Sequence, residues 1–429
     1  VIRCRFARGV SLSVWGTTVK KKFLVVLVPH FSPDTAPTGE VISTLVEEFV
    51  AAGERVHVVT ALPWYRNHCV EPGWTGRLIR RETTSWGSII RVHPFAGKDK
   101  KNLLRRAVGF LLFSVLAGVC TLCAGGIHKR PQAVLSMSPP LTLGLTGWLA
   151  ARLRRAPCIF NIQDVFPDAA ITTGAITNTK IIAVAKWLER VSYHRSDAVV
   201  VLSDDLKKNV LAKIAPRHQQ KVHVIPNFVD ADRIVPMDRM TSYRTELGIG
   251  NETVVMYAGN VGFSQSLTMM LDAAKVMTGV AFVINGDGAA RDELLRAAQD
   301  LPNVYFSGYQ PRDRVPEVLA SGDIHVVLLK AGLGAVSVPS KTYSILAAAR
   351  PVVAAIDSDT EVTRILAASG AGTVVSPDNS KLFISALQAM NEDLDASRRM
   401  GLSGRQWVQS HVSPTVVAGS YLDLCNSLG

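Results

Sequence analysis

The sequence predicts two α/β domains in tandem, each built on a parallel sheet, with a cleft between them. Three observations carry this. From Lys22 onward, short apolar runs that read as buried strands alternate with stretches of helical periodicity. The first two strands are joined through a helix, an order that predicts a parallel sheet. A second series of the same kind restarts after 229–240, a turn-rich stretch with little periodicity that reads as a linker. The 429 residues suffice for two or three domains, and 48% hydrophobic against 19% charged residues excludes a disordered chain. Six cysteines exclude a disulfide-stapled scaffold and fit a reducing compartment.

Residues 1–19 read as an unstructured leader. Basic residues precede FLVVLVP, but so short an apolar run with no A-x-A site after it is not a signal peptide. KFLVVLVPHF (22–31) is the first strand, SPDTAPTGE (32–40) a loop, and VISTLVEEFVAA (41–52) a helix ending at Gly53. RVHVVTAL (55–62) is the second strand, and others follow at 133–138, 158–164, 198–203 and 222–227. This sets an N-terminal domain at 20–230. The C-terminal domain, 231–395, has strands at 253–259, 281–288, 304–308, 324–330 and 351–356, with a helix at 266–277. Residues 396–429 carry two helices broken near Ser410–Pro414, expected to pack back across the cleft. Ligands of such sheets bind beyond the carboxyl ends of the strands, which puts the site in the cleft.

The net charge of +12 is local. Residues 76–155 hold fourteen Lys and Arg against Glu82 and Asp99, and the rest of the chain balances. Such a patch is either a solvated face or a surface for an anionic partner. The uncharged stretch 107–127 beside it favours a membrane surface over nucleic acid, which would bring more aromatics among the basic residues. Its four glycines, Ser114 and Thr121 make it a better buried or interfacial helix than a membrane span.

YAGNVGFSQSL (257–267) places Gly259 and Gly262 after a strand and before a helix. Glycines there either pack a tight turn or let backbone N–H groups approach a phosphate. NGDG (285–288), with Gly286 and Gly288, ends the next strand. In VPSKTYSILAAARPVVAA (338–355), Pro339 and Ser340 suit a helix start and Lys341 falls in its first turn. A cation there is unfavourable unless an anion shares it, so Lys341 is either solvated or a diphosphate partner. Asp164 ends a strand in NIQDVFPD, as turn former and cap or as a substrate or catalytic contact. Ser136 and Ser138 sit at another strand end, and Thr38, Gly39 and Glu40 in the first loop. Cys120-x-x-Cys123 lacks a second ligand pair and reads as packing. The sequence has no P-loop, G-x-S-x-G elbow or H-E-x-x-H pattern.

PHFSPDTAPTGE, SPPLTLGL, QDVFPD, VIPNFVD, YAGNVGFSQ and VPSKTYSILAAARPVVA, in this order over 22–425, resemble the bacterial glycosyltransferases of family 4. These have two Rossmann-like domains (the GT-B fold), and the resemblance points to the branch serving capsule, colanic-acid and O-antigen polysaccharides. It implies sugar transfer from a nucleotide sugar with retention, without metal or cofactor. By that resemblance Gly259, Asn260, Gly262, Gln265 and Lys341 would face the donor diphosphate, with Gly286, Gly288 and Gly308–Gln310 near the nucleotide. Gly39, Glu40 and catalytic Asp164 would face the reacting carbon. The chain departs from the pattern where relatives carry Arg and Lys, here Asn260 and Gln265. It also departs at a Glu-x7-Glu motif, here Val336 and Ser344, leaving Glu361 as a substitute, and at a His position held by Ser138.

The expected protein is thus a hexosyl- or N-acetylhexosaminyl-type transferase using a nucleotide sugar, UDP-linked by preference. Its partners would be a lipid-linked or other saccharide acceptor and an anionic membrane surface, with no nucleic acid. It would be cytoplasmic and peripheral on the inner face of the plasma membrane. The alternatives are a nucleotide-sugar epimerase and a non-catalytic basic scaffold.

Overall fold

The structure is a computed structural model that describes residues 22–66, 69–95, 103–168, 171, 176–333 and 341–429. The leader 1–19, Lys98–Lys101, and Val336, Pro339 and Ser340 lie outside the described residues.

The N-terminal domain runs β1 (Phe23–Leu27), α1 (Pro37–Ala51), β2 (Arg55–Ala61), β3 (Ile79–Thr84), β4 (Gly87–Val92) and α2 (Leu103–Cys123). It continues with β5 (Ala133–Ser138), α3 (Thr142–Leu153), β6 (Cys158–Ile162), α4 (Thr179–Arg195), β7 (Ala198–Val201), α5 (Asp204–Leu211) and β8 (Val222–Val224). Its sheet has the order β3-β4-β2-β1-β5-β6-β7-β8, parallel except where β3 pairs antiparallel with β4. The run FLVVLV is continuous because β1 is covered on both sides. Leu24, Val26 and Val28 pack with α1, while Phe23, Val25 and Leu27 pack with α2 and α3.

The C-terminal domain runs α6 (Ser242–Glu246), β9 (Thr253–Ala258), α7 (Thr268–Val276), β10 (Val280–Asn285), α8 (Arg291–Ala297), β11 (Val304–Ser307) and α9 (Val315–Ser321). Then come β12 (Ile324–Leu328), α10 (Lys341–Ala347), β13 (Val352–Ala355), α11 (Glu361–Ser369), β14 (Gly372–Val375), α12 (Ser380–Glu392) and α13 (Leu394–His411). The sheet order is β11-β10-β9-β12-β13-β14, all parallel. The last helix, α14 (Pro414–Leu428), leaves this domain and packs against α1 of the first. Gln132 Nε2 donates to Asn426 Oδ1 (2.7 Å) and Asn161 bonds the Tyr421 hydroxyl.

Three elements differ from the sequence reading. The helix after β1 starts at Pro37 rather than Val41, because proline fits the first helical turn. Thr38, Gly39 and Glu40 therefore belong to that turn and not to a loop. The β3–β4 hairpin falls within the basic segment, where IRRETT alternates exposed and half-covered positions as an edge strand does. Its Arg91 is interior: its Nε lies 3.0 Å from Glu82 Oε1, and its Nη2 donates to the Ser32 carbonyl (2.6 Å). Arg154 is also buried, donating to the carbonyls of Ala124 (2.7 Å) and Gly126 (2.8 Å) just beyond α2. Part of the basic patch is thus consumed inside the fold.

Candidate active site

In each sheet the strand order reverses beside the first strand, between β1 and β5 and between β9 and β12. Loops leaving such a pair diverge and open a crevice. The loop after β9 and that after β10 lie backbone against backbone. Gly259 N–H donates to Asn285 O (2.9 Å), Val261 N–H to Asp287 O (2.9 Å) and Ala290 N–H to Val261 O (3.0 Å). This explains two glycines. A Cβ on Gly286 would stand 1.9 Å from the Gly259 carbonyl oxygen, and one on Gly288 would stand 2.4 Å from that of Val261. Both have positive φ, +146° and +156°.

Gln265 turns inward, its Oε1 accepting from the Gly262 N–H (3.0 Å), so it holds the loop's shape. Asn260 is exposed at the apex, with its carbonyl oxygen taking the Tyr257 hydroxyl (2.6 Å). The loop after β12 is tied to the same place, since Lys330 N–H donates to Ser264 O (2.9 Å).

Lys341 opens α10 beneath this assembly. Its ammonium is buried 3.7 Å from the centre of the Tyr257 ring and has no hydrogen-bond acceptor among the described residues. It faces Gly259, where an added Cβ would stand 3.6 Å from Nζ. The ring face supplies some electrostatic compensation, but far less than water would. Burial accordingly pulls the Lys341 pKa down to about 7. A buried cation held against a glycine loop by an aromatic ring is arranged to receive an anion.

Across the cleft, His30 and Asp34 follow β1. His30 Nδ1 lies 2.6 Å from Asp34 Oδ2, whose Oδ1 accepts from the Tyr65 N–H (3.1 Å). Trp64 stacks on the imidazole at 5.3 Å, and Gly39 presses against His30, where a Cβ would stand 3.0 Å from that of His30. Gly39 therefore makes room for its own chain. Ser136 is buried, bonded to the Ile159 carbonyl (3.4 Å), and the Ser138 hydroxyl at the end of β5 is buried without a partner among the described residues.

Asp164 lies just past β6, open to solvent yet flanked by protein, and desolvation raises its pKa. Glu40 reaches the other domain, 2.8 Å from Arg312 Nη2 and 3.0 Å from Arg233 Nη1. Glu361 is held by Arg364 (3.0 Å), which also grips Asp205 of the first domain at 2.6 Å. These ion pairs show that the two carboxyl edges face one another. The dyad of His30 and Asp34, the ring under Lys341 and the arginines on Glu40 were not singled out from sequence.

Residues 38–227 match the glycosyl transferase 4-like domain, and residues 252–393 match the glycosyl transferases group 1. The chain is a sugar-transferring enzyme of the GT-B fold, related to these two glycosyltransferase groups. It is 26% identical over 373 residues to the putative colanic acid biosynthesis glycosyl transferase WcaI of Escherichia coli K12, covering 84% of this chain and 89% of that one. Sucrose-phosphate synthase from Thermosynechococcus elongatus shares its fold with a TM-score of 0.73 at 15% identity, over 95% of this chain and 99% of the other. Anabaena HepE, solved in complex with UDP, does so at 0.67 and 14% identity, over 95% and 100%.

Proposed function

We propose that this enzyme transfers a sugar, with retention of configuration, from a UDP-sugar to a lipid-linked saccharide in cell-surface polysaccharide synthesis. The observation that carries the donor half is the buried, acceptor-less ammonium of Lys341 against the Gly259 loop. A nucleoside diphosphate leaving group accumulates negative charge as the glycosidic bond breaks, and a preorganised cation is worth most where water is excluded. Lys341 would supply that stabilisation without a metal, beside a loop whose Gly259, Val261 and Gly262 amides are already bonded within the fold. HepE, which holds UDP, supports uridine as the base, and the colanic-acid relative supports a polysaccharide acceptor. On the other wall, His30, fixed by Asp34, and the raised carboxyl of Asp164 would orient the acceptor hydroxyl. Reaction at the inner face of the plasma membrane would suit an acceptor carried on lipid.

A thermal-shift series with UDP, GDP, ADP and CMP tests the donor half. A ligand at about 100 times its Kd stabilises by about 2.7 kcal/mol, several degrees for domains of this size. UDP alone is expected to give that shift. A response to another diphosphate would replace the uridine part, and no response to any would overturn the donor site.

A further inference from the structure

The outer surface of α2, α3 and α4 carries more apolar area than a solvated face needs. On α2, Val108, Leu112, Val115 and Val119 recur at helical spacing and point to solvent, Val115 with 54% of its surface exposed. The opposite side of the same helix, Phe113, Ala117 and Cys120, is in the core. Packing continues the exposed stripe sideways. Ser114 bonds Thr142 (2.6 Å) and Gly118 abuts Thr146, which sets α3 alongside α2 with Leu149 and Leu153 facing outward. Arg195 of α4 lies over Trp148 of α3 at 5.0 Å, and α4 adds Val184 and Trp187, the latter 59% exposed. Contiguous apolar surface of this kind marks an interaction site.

Charge identifies the occupant. The three helices contain one acid in their whole sequence, Glu189, and it is buried against Lys213 at 2.7 Å. Exposed Arg152, Lys180, Lys186 and Arg190 lie on the same helices, with Lys129 and Arg130 just beyond α2. A second copy docking by this face across a two-fold axis would set cation against cation. An apolar stripe with a cationic rim instead matches the boundary of acyl chains and anionic headgroups. Among the described residues no helix is long and apolar enough to cross a membrane, so contact would be from one side.

We infer that the α2–α3–α4 face seats the enzyme on an anionic lipid bilayer. The inference rests on the proposed lipid-linked acceptor for its purpose, though not for its test. Helices that follow parallel strands begin at the carboxyl edge of the sheet, so the starts of α2 and α4 lie at the rim of the cleft. A lipid-borne acceptor could then enter without leaving the bilayer.

The experiment is co-sedimentation of the full chain with phosphatidylcholine vesicles, alone or with about 30% phosphatidylglycerol. Salt is set at about 0.1 M and about 1 M, where the screening length falls from ~10 Å to ~3 Å. Wild type is expected to pellet with anionic vesicles in low salt and to be partly released in high salt. Val115→Glu with Leu153→Glu should lower the bound fraction about tenfold or more, since a charge resists entering the acyl region. Lys180→Glu with Lys186→Glu should weaken binding to anionic vesicles only. All these positions are exposed, so melting temperature and the UDP shift should stay at wild-type values, which separates failure here from failure of the donor reading. Equal binding to neutral and anionic vesicles, or unchanged binding by both double variants, would overturn the inference. So would a dimer, seen by light scattering, that Val115→Glu with Leu153→Glu converts to monomer without loss of vesicle binding.

Discussion

Lys341→Met is expected to make the ligand-free enzyme more stable and to abolish its response to UDP. The ammonium is buried over the Tyr257 ring with no oxygen to meet it, so the fold bears a desolvation cost that methionine, of similar length, removes without leaving a cavity. The pH dependence has a definite sign. The folded value of about 7 lies below the ~10.4 of an unfolded lysine. Between those values the unfolded chain binds more protons than the folded one, so wild-type stability rises with pH across that window. Below about 7 both states are protonated and the cost is present in full. The melting-temperature advantage of Lys341→Met should therefore be largest near pH 6 and shrink steadily toward pH 10. Transfer should fall by roughly 10²–10³ in kcat/KM, the range seen when one charge-stabilising donor is removed. A variant that is less stable than wild type at pH 6, or that still shifts with UDP, would mean that Lys341 is a structural residue.

Much of this is legible in the sequence. Strands buried on both faces write themselves as unbroken apolar runs, so β1, β5, β9 and β12 could be read directly, and with them the two carboxyl edges. Lys341 stood out because a cation in the first turn of a helix lacks a local electrostatic reason. Other features escaped for physical reasons. The half-exposed edge strand β3 is built of charged and hydroxyl residues, and its pattern merges with that of a basic patch. Arg91 and Arg154 look like surface charge until folding shows that they satisfy carbonyl oxygens. The pairing of Glu40 with Arg233 and Arg312 joins positions far apart in the chain, which no local pattern encodes. Gln265 illustrates a subtler limit, because the same side chain could face a phosphate or turn back to the Gly262 amide, and the fold takes the second.

The glycines pose the same choice between ligand and packing, and a pair of substitutions separates the two. Gly286→Ala puts a methyl group 1.9 Å from a backbone oxygen that the β9–β10 hydrogen bonds hold in place, at a φ of +146°. Neither loop can yield without losing the Gly259 to Asn285 bond. Overpacking and backbone strain together should cost about 3 kcal/mol or more. At about 2–4 °C per kcal/mol, the domain melts roughly ten degrees lower. The 259–262 loop is displaced with it, so UDP affinity should fall as well. Gly308 lies near the same end of the sheet, but an added Cβ there meets nothing within 4 Å. Gly308→Ala should therefore leave the melting temperature within about a degree of wild type. If it does so and yet weakens UDP binding, that glycine leaves room for the nucleotide. If Gly286→Ala melts like wild type, the loops are not locked together, and the architecture assigned to the donor wall is wrong.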